Sequence, residues 1–196
     1  MLRFAIPCLL VGGILGWLGI KELRLKFGSA ATPQEITLRQ LIDKGYGTNN
    51  FIVLKEFGYS PDVLYKPLRA NHPEGAWDSA WTPILVPGPA IGKEAKFHAI
   101  LFWPDVRSKA QYDELTQQQT LKGMVINEVQ SLTTEQKDLL KDTYPETDFD
   151  KCLIIEVGRE PGGLFKIILF FLGAIVLLIG GVAGLIVRAK QAPAET

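Results

Sequence analysis

The chain has little of what most catalytic and metal-binding sites require. It holds two cysteines and two histidines in 196 residues, so neither a disulfide-stapled scaffold nor a CxxC zinc site is available. Its 21 basic and 21 acidic side chains balance, which excludes a strongly basic nucleic-acid binder as the default interpretation. The dinucleotide-binding GxGxxG, the P-loop, the zinc-binding HExxH and the GxSxG nucleophile elbow are all missing from the sequence. We therefore expect no catalytic residue, no metal ion, no cofactor and no nucleic-acid partner.

The remaining candidates for chemistry are isolated polar side chains. His98 lies inside an apolar run and is expected to be a half-buried strand residue, the alternative being a metal site in which His72 and carboxylates join it. Glu146, Asp148 and Asp150 alternate before the last predicted strand. This spacing favours a turn over a calcium site, because calcium takes about 6–8 oxygen ligands and the EF-hand pattern is missing.

The apolar residues, 47% of the chain, are concentrated at its two ends. Residues 4–20 and residues 167–187 contain no charged side chain, and a helix needs about 20 apolar residues to cross a bilayer. The sequence therefore predicts two transmembrane helices over these ranges, a globular domain over 32–160 and a short tail over 188–196.

The first apolar run has a second interpretation as a cleaved signal peptide, with the small residues at 29–31 as its cleavage site. Lys21, Arg24 and Lys26 lie between the run and that site, whereas the last part of a signal peptide is normally uncharged. We therefore favour an uncleaved anchor. Basic residues flank the two runs on both sides, and a long translocated segment can override their bias. The side of the membrane that the domain faces stays undecided.

Both apolar runs carry glycines at the spacing of packed membrane helices. Gly12 and Gly16 form one GxxxG pair, Gly180 and Gly184 form a second, and Gly173 extends the second face by two turns. These glycines predict either that the two helices pack together or that two copies of the chain form a homodimer. The alternative is that they carry no packing role, since glycine is common in membrane helices.

The middle of the chain predicts an α+β domain with a mostly antiparallel sheet or a small, partly open barrel. Thr37 and Gln40 have capping-box spacing and begin a helix over 38–44. Further helices are predicted at 108–116 and 133–144, each with the same spacing at its start. Strands are predicted over 51–54, 63–65, 81–86, 97–103, 121–127 and 152–157. Pro83 would restrict its strand to a sheet edge or a bulge, and Gly123 indicates a bulge.

The stretch 71–92 is the candidate functional loop. It places Trp77 and Trp81 among four prolines, and tryptophan is enriched where proteins bind one another. The two rings could form a partner-binding surface, or they could close the open end of a small core.

Three segments carry a resemblance to known proteins. The segments TLRQLIDKG at 37–45, YPETDFDKC at 144–152 and GREP at 158–161 resemble an uncharacterised group of bacterial two-span membrane proteins. That group has no assigned activity, so the resemblance transfers no catalytic residue. The layout is also similar to that of the Surf-like oxidase assembly factors and of the mitochondrial ubiquitin ligases with a beside-a-membrane domain. The RING of those ligases is missing here.

These observations predict a membrane-anchored, non-enzymatic protein whose domain binds a protein partner, as an assembly factor or accessory subunit. The resemblance implies the inner membrane of a bacterial cell. Two alternatives stay open: a membrane enzyme or small-ligand sensor with an unrecognised site, for which a pocket around His98, Asp148 or Asp150 would be the sign, and a structural homo-oligomer held by its membrane helices.

Overall fold

The computed structural model describes residues 2–67, 75–88, 97–127 and 132–191. The chain divides into two compact units: Met1–Phe27 with Gly162–Thr196, and Gly28–Pro161. Its elements, in chain order, are α1 (Leu2–Phe27), β1 (Gln34–Thr37), α2 (Leu38–Lys44), β2 (Phe51–Lys55), β3 (Gly58–Tyr59), β4 (Leu64–Pro67), β5 (Trp77–Leu85), β6 (Ala99–Trp103), α3 (Lys109–Leu115), β7 (Leu121–Val125), α4 (Thr134–Lys141), β8 (Leu153–Val157) and α5 (Leu164–Gln191).

The first unit consists of α1 and α5, which run antiparallel. Both helices are long and apolar enough to cross a membrane, over Phe4–Phe27 with mean hydropathy 1.8 and over Leu164–Val187 with mean hydropathy 2.7. A side chain added at Gly12 would meet Leu178, and one added at Gly181 would meet Leu9. The two helices are therefore packed closely along their length.

The glycines predicted to pack these helices differ in their surroundings. A Cβ atom at Gly16 would lie 3.8 Å from Ala174, one at Gly173 would lie 3.3 Å from Leu15, and one at Gly184 would lie 3.4 Å from Ala5. Gly180 has nothing within 4 Å of its Cβ position, and the neighbouring Gly181 makes the close contact with α1 instead. A role of Gly180 between two copies of the chain stays a prediction.

The second unit is a mixed α+β domain built on a curled sheet that forms a half-barrel. Eight strands of the described residues join in the order β1-β2-β7-β8-β6-β5-β3, and β4 also pairs with β5. The pairs β1–β2 and β6–β8 are parallel, and the other five are antiparallel. Strands β1 and β3 are additions to the predicted set, since four and two residues give too weak a pattern to find.

The centre of the sheet is buried on both faces. One face packs against α2 and α3, and its buried cluster includes Leu41 of α2 and Tyr112 of α3. Because side chains alternate along a strand, the residues between the members of that cluster point to the opposite face. There Ile100, Met124 and Ile154 are at most 2% exposed.

The three predicted helices form as α2, α3 and α4, and side chains cap each of them. Thr37 with Gln40 and Thr133 with Gln136 make complete capping boxes. Ser108 accepts a hydrogen bond from the backbone of Gln111 at the start of α3. The Gln111 side chain bonds to the backbone N–H of Arg107 instead of that of Ser108, so this third box is half formed.

Of the two settings expected for Pro83, a sheet edge or a bulge, the edge is wrong, because β5 has partners on both sides. The bulge that β5 does contain lies at Asp78 and not at Pro83. On one side of β5, the first residue of β4 pairs with Trp81 and the last residue of β3 pairs with Ile84. Pro83 therefore falls between these two partner strands. Its carbonyl accepts from Ser60 on that side. In a strand the N and O atoms of one residue point the same way, so the nitrogen of Pro83 also points away from β6. The missing N–H therefore removes no hydrogen bond between β5 and β6.

The expectation of a bulge at Gly123 is also wrong. This residue pairs in regular register with Ile52 of β2 and with Val157 of β8. A Cβ atom at Gly123 would collide with the carbonyl oxygen of Glu156. The glycine is required by the close approach of two backbones inside the sheet.

Candidate functional site

The domain carries a groove of about 590 Å³ between β4 and α4. Leu64, Tyr65 and Trp81 of the sheet line it on one side, and Glu135, Gln136 and Leu139 of α4 line it on the other. Two of these apolar side chains are conspicuously exposed, Tyr65 at 53% and Leu139 at 63%. Ligand sites in proteins commonly measure about 300–1,000 Å³ and are mostly apolar, so this groove is the candidate functional site.

The sheet side of the groove is fixed by strand pairing. Leu64 of β4 lies directly opposite Trp81 of β5, and Trp81 lies opposite Phe102 of β6. The rings of Trp81 and Phe102 stack with centroids 5.1 Å apart. Trp81 is only 9% exposed, and it lines the groove as part of a rigid sheet.

The helix side is fixed by the start of α4 and by one buried leucine. The capping box of Thr133 and Gln136 begins the helix, and Leu140 is 2% exposed. Consecutive residues of a helix point about 100° apart, so burying Leu140 turns Leu139 toward the groove. The adjacent leucines are a signal of this surface that the sequence interpretation missed.

A bulge in β5 separates the two tryptophans. The register runs from Lys66 opposite Ser79 to Pro67 opposite Trp77, so Asp78 is an extra residue on β5. Without it, residues four apart in a strand would share a face. With it, Trp77 joins the core cluster on the α2 and α3 side, whereas Trp81 faces the groove. A bulge commonly re-aims a side chain in this way.

The predicted functional loop is wrong over Trp77–Leu85, which form strand β5. Residues 71–74 and 89–92 of that stretch, including His72, lie outside the described residues. Both tryptophans are buried, and only Trp81 of the two borders the groove. Their role in partner binding stays a prediction.

The charges around the groove are unequally compensated. Lys66 forms an ion pair of 2.8 Å with Asp78, and its hydrogen bond lowers the pKa of Asp78 below the usual value. Glu135 is exposed at the groove and makes no ion pair or hydrogen bond to the described residues. Within the described ranges, the groove therefore presents one negative charge without a partner.

A second, smaller cavity of about 320 Å³ lies on the other side of Tyr65. The Tyr65 ring stacks on Trp77 with centroids 4.6 Å apart and an angle of 9°. Tyr59 and Tyr112 complete its aromatic lining. Burial raises the pKa of Tyr59 to about 12, and burial also raises the pKa of Tyr112. Both phenols are neutral at pH 7 and cannot act there as bases.

A buried polar cluster joins Ser60, Asp62 and Tyr144. The Tyr144 hydroxyl donates to a carboxylate oxygen of Asp62 at 2.5 Å, and it also bonds to the hydroxyl of Ser60. Burial and, to a smaller extent, the hydrogen bond to Asp62 raise the pKa of Tyr144 to about 12. These hydrogen bonds hold the β3–β4 connection against the segment after α4.

No family model matches the chain, and no curated protein or solved structure matches it. The resemblance to bacterial two-span membrane proteins therefore stays an expectation.

Of the isolated polar candidates, those among the described residues do not line the groove. Asp148 pairs with Lys151 at 2.8 Å, which lowers the pKa of Asp148, and Asp150 pairs with Lys137 at 2.6 Å. His98 is half-buried just before β6. Among the described residues, no three His, Cys, Asp or Glu side chains come together to hold a metal ion.

Proposed function

We propose that this chain is an integral membrane protein of the bacterial inner membrane whose domain binds a protein partner through the groove. In this proposal it acts as an assembly factor or accessory subunit and catalyses no reaction. The single observation that carries the proposal is the groove itself, where exposed Tyr65 and Leu139 flank the buried ring of Trp81.

The anchoring part of the proposal is supported by the two apolar helices. Each offers 24 residues, and at about 1.5 Å per residue that length suffices for a hydrocarbon core of about 30 Å. Their outward faces carry large apolar side chains such as Phe4, Phe165 and Val176, each more than 65% exposed. Lipid tails are the surroundings in which such a surface is stable.

The binding part is supported by the cost of leaving apolar side chains in water. Burying an exposed leucine or aromatic side chain contributes about 1.5–3 kcal/mol. Leu139 and Tyr65 are both more than half exposed, so a partner that covers them would gain much of that free energy. Interfaces draw their affinity from a few such anchors seated against a rigid surface. Trp81 and Leu64, held in the sheet, supply that surface.

The test is affinity purification of the full-length tagged protein in mild detergent, with co-purifying proteins read by mass spectrometry. Leu139→Gln removes the apolar anchor from the groove. Asp138→Gln is its matched control, because it places the same residue at the adjacent exposed position of α4. We expect Leu139→Gln to lose a stoichiometric partner and Asp138→Gln to retain it.

The two tryptophans are unsuitable for this test, because both are buried. Replacing a buried tryptophan by alanine costs about 3–5 kcal/mol, so loss of binding would report unfolding. Leu139→Gln changes an exposed side chain and leaves stability within about 0.5 kcal/mol. Equal partner recovery with both α4 variants would contradict the groove proposal, and recovery of this chain alone above its monomer mass would favour the homo-oligomer.

A further inference from the structure

The groove is bordered by a sheet edge. Among the described residues, β4 pairs only with β5, so one side of β4 carries backbone N–H and C=O groups without a strand partner. Its residues after Leu64 are all exposed. An extended peptide can add to such an edge, with the backbone supplying hydrogen bonds and neighbouring pockets reading alternate side chains.

The end of β4 limits how far such a peptide could pair. The register shifts between Lys66 and Pro67, and proline has no N–H to offer. Pairing is therefore confined to residues 64–66, the stretch that faces Leu139 of α4 across the groove. Two or three alternating apolar side chains of a strand would fill that space.

The uncompensated negative charge of the groove favours a positive charge on the side chain that binds there. Glu135 has no ion-pair partner in the part of the chain that the structure describes, whereas Lys66 is neutralised by Asp78. The segment 28–162 also carries more acidic than basic residues. Complementary charges steer encounter and fix the register of a bound segment, so a basic side chain is the one the groove favours.

We infer that the groove binds an extended apolar segment of a partner protein that adds to β4 and places a lysine or arginine against Glu135. This inference rests on the proposed function and names the chemistry of the partner.

The probe is a phage-displayed library of short random peptides, selected on the full-length protein in detergent and counter-selected on Leu139→Gln. We expect enriched peptides to carry a basic residue flanked by alternating apolar residues. Selection on Glu135→Lys should enrich acidic peptides instead. Asp138→Lys, the same charge change at a position outside the groove, should leave the basic preference unchanged.

Affinity and hydrogen exchange complete the test with one synthetic enriched peptide. Glu135→Lys should weaken its binding by about 5-fold, because it removes an exposed ion pair and sets two like charges against each other. The amides of Tyr65 or Lys66 should exchange more slowly when the peptide is bound, because strand addition gives outward-pointing N–H groups an acceptor.

The outcomes separate this inference from the proposed function. An absence of enrichment, enriched peptides without a basic preference, or an equal response to Asp138→Lys overturns the inference while leaving a groove-dependent partner in place. Unchanged amide exchange on β4 overturns strand addition. If Leu139→Gln retains every co-purifying partner, the proposed function fails whatever the peptides show.

Discussion

At the scale of single residues, Tyr144 joins two parts of the domain that are far apart in the sequence. It is 3% exposed and bonds to Ser60 and Asp62, more than 80 positions away. Tyr144→Phe keeps the ring, which packs edge-on against Phe97 at 4.9 Å, but it leaves these polar groups without their partner. We expect the free energy of unfolding to fall by about 1–3 kcal/mol, measured by denaturation of the full-length protein in detergent.

The matched control is Tyr65→Phe. The hydroxyl of Tyr65 makes no hydrogen bond to the described residues, and the ring is 53% exposed. This variant should therefore keep the stability of the parent chain. If both variants lost the same stability, the polar cluster of Tyr144 would have no special role.

The raised pKa values of two buried tyrosines, Tyr59 and Tyr144, predict a loss of stability in alkali. The pKa values of Tyr59 and Tyr144 are raised to about 12 in the folded chain, mainly by burial, from 10.0 in a free tyrosine. Between these pH values the unfolded chain has lost protons that the folded chain keeps, so the free energy of unfolding decreases as pH rises from 10 toward 12. Below pH 10 both states hold the neutral phenol, and this contribution to pH dependence vanishes.

Ultraviolet absorbance of tyrosinate, followed together with circular dichroism, measures this effect. We expect part of the tyrosinate signal to appear only near pH 12 or on unfolding, and Tyr144→Phe to flatten the fall of stability above pH 10. Complete ionisation of the tyrosines near pH 10 in a folded chain would contradict the burial of these two phenols.

At the scale of elements, the curled sheet depends on a glycine in β7. Gly123 lies between β2 and β8, and a Cβ atom there would collide with the backbone of Glu156. Backbone atoms cannot give way as the end of a flexible side chain can. Gly123→Ala should therefore destabilise the domain by about 1–3 kcal/mol, measured by thermal unfolding.

Gly58→Ala is the control for this prediction. Gly58 also lies in a strand, β3, but its Cβ position is 3.8 Å from the nearest atom, which is ordinary contact. This variant should be tolerated. A Gly123→Ala protein as stable as Gly58→Ala would mean that β7 and β8 lie further apart than the structure places them.

The elements that the sequence predicts well are those with local signals. The side chains that begin α2 and α4 lie three residues apart, so their caps could be found without knowledge of the fold. The bulge at Asp78 could not be found in this way, because it is defined by the register of β5 against β4. For the same reason the sequence could not separate the surroundings of Trp77 and Trp81, which decide where the groove lies.

At the scale of the whole molecule, the two units of the chain differ in the surfaces that they carry. The unit formed by its two ends carries most of the large apolar side chains that are exposed, which is the surface that a bilayer would cover. The middle unit carries the groove and the acidic excess. The apolar runs were predictable from composition alone, but the faces by which α1 and α5 meet were not, since the GxxxG pattern marked Gly180 and the structure uses Gly181.

This difference between two adjacent glycines gives a test of the helix pair. A Cβ atom at Gly181 would collide with Leu9 and approach the backbone of Ala5, whereas one at Gly180 would have no described atom within 4 Å. Close approach of backbones is what holds helices together where no hydrophobic effect operates. Gly181→Leu should therefore destabilise the pair by about 1–3 kcal/mol, and Gly180→Leu should leave it within about 0.5 kcal/mol of the parent.

Thermal unfolding and size-exclusion chromatography of the full-length protein in detergent distinguish the roles of the two positions. Lower stability with Gly181→Leu alone supports packing of α1 against α5 within one chain. If the parent is larger than a monomer and Gly180→Leu reduces it to one, the open face at Gly180 holds two copies together, as the GxxxG pattern allows. Equal stability of the two variants would contradict the packing, because only the Gly181 position is closed by the facing helix.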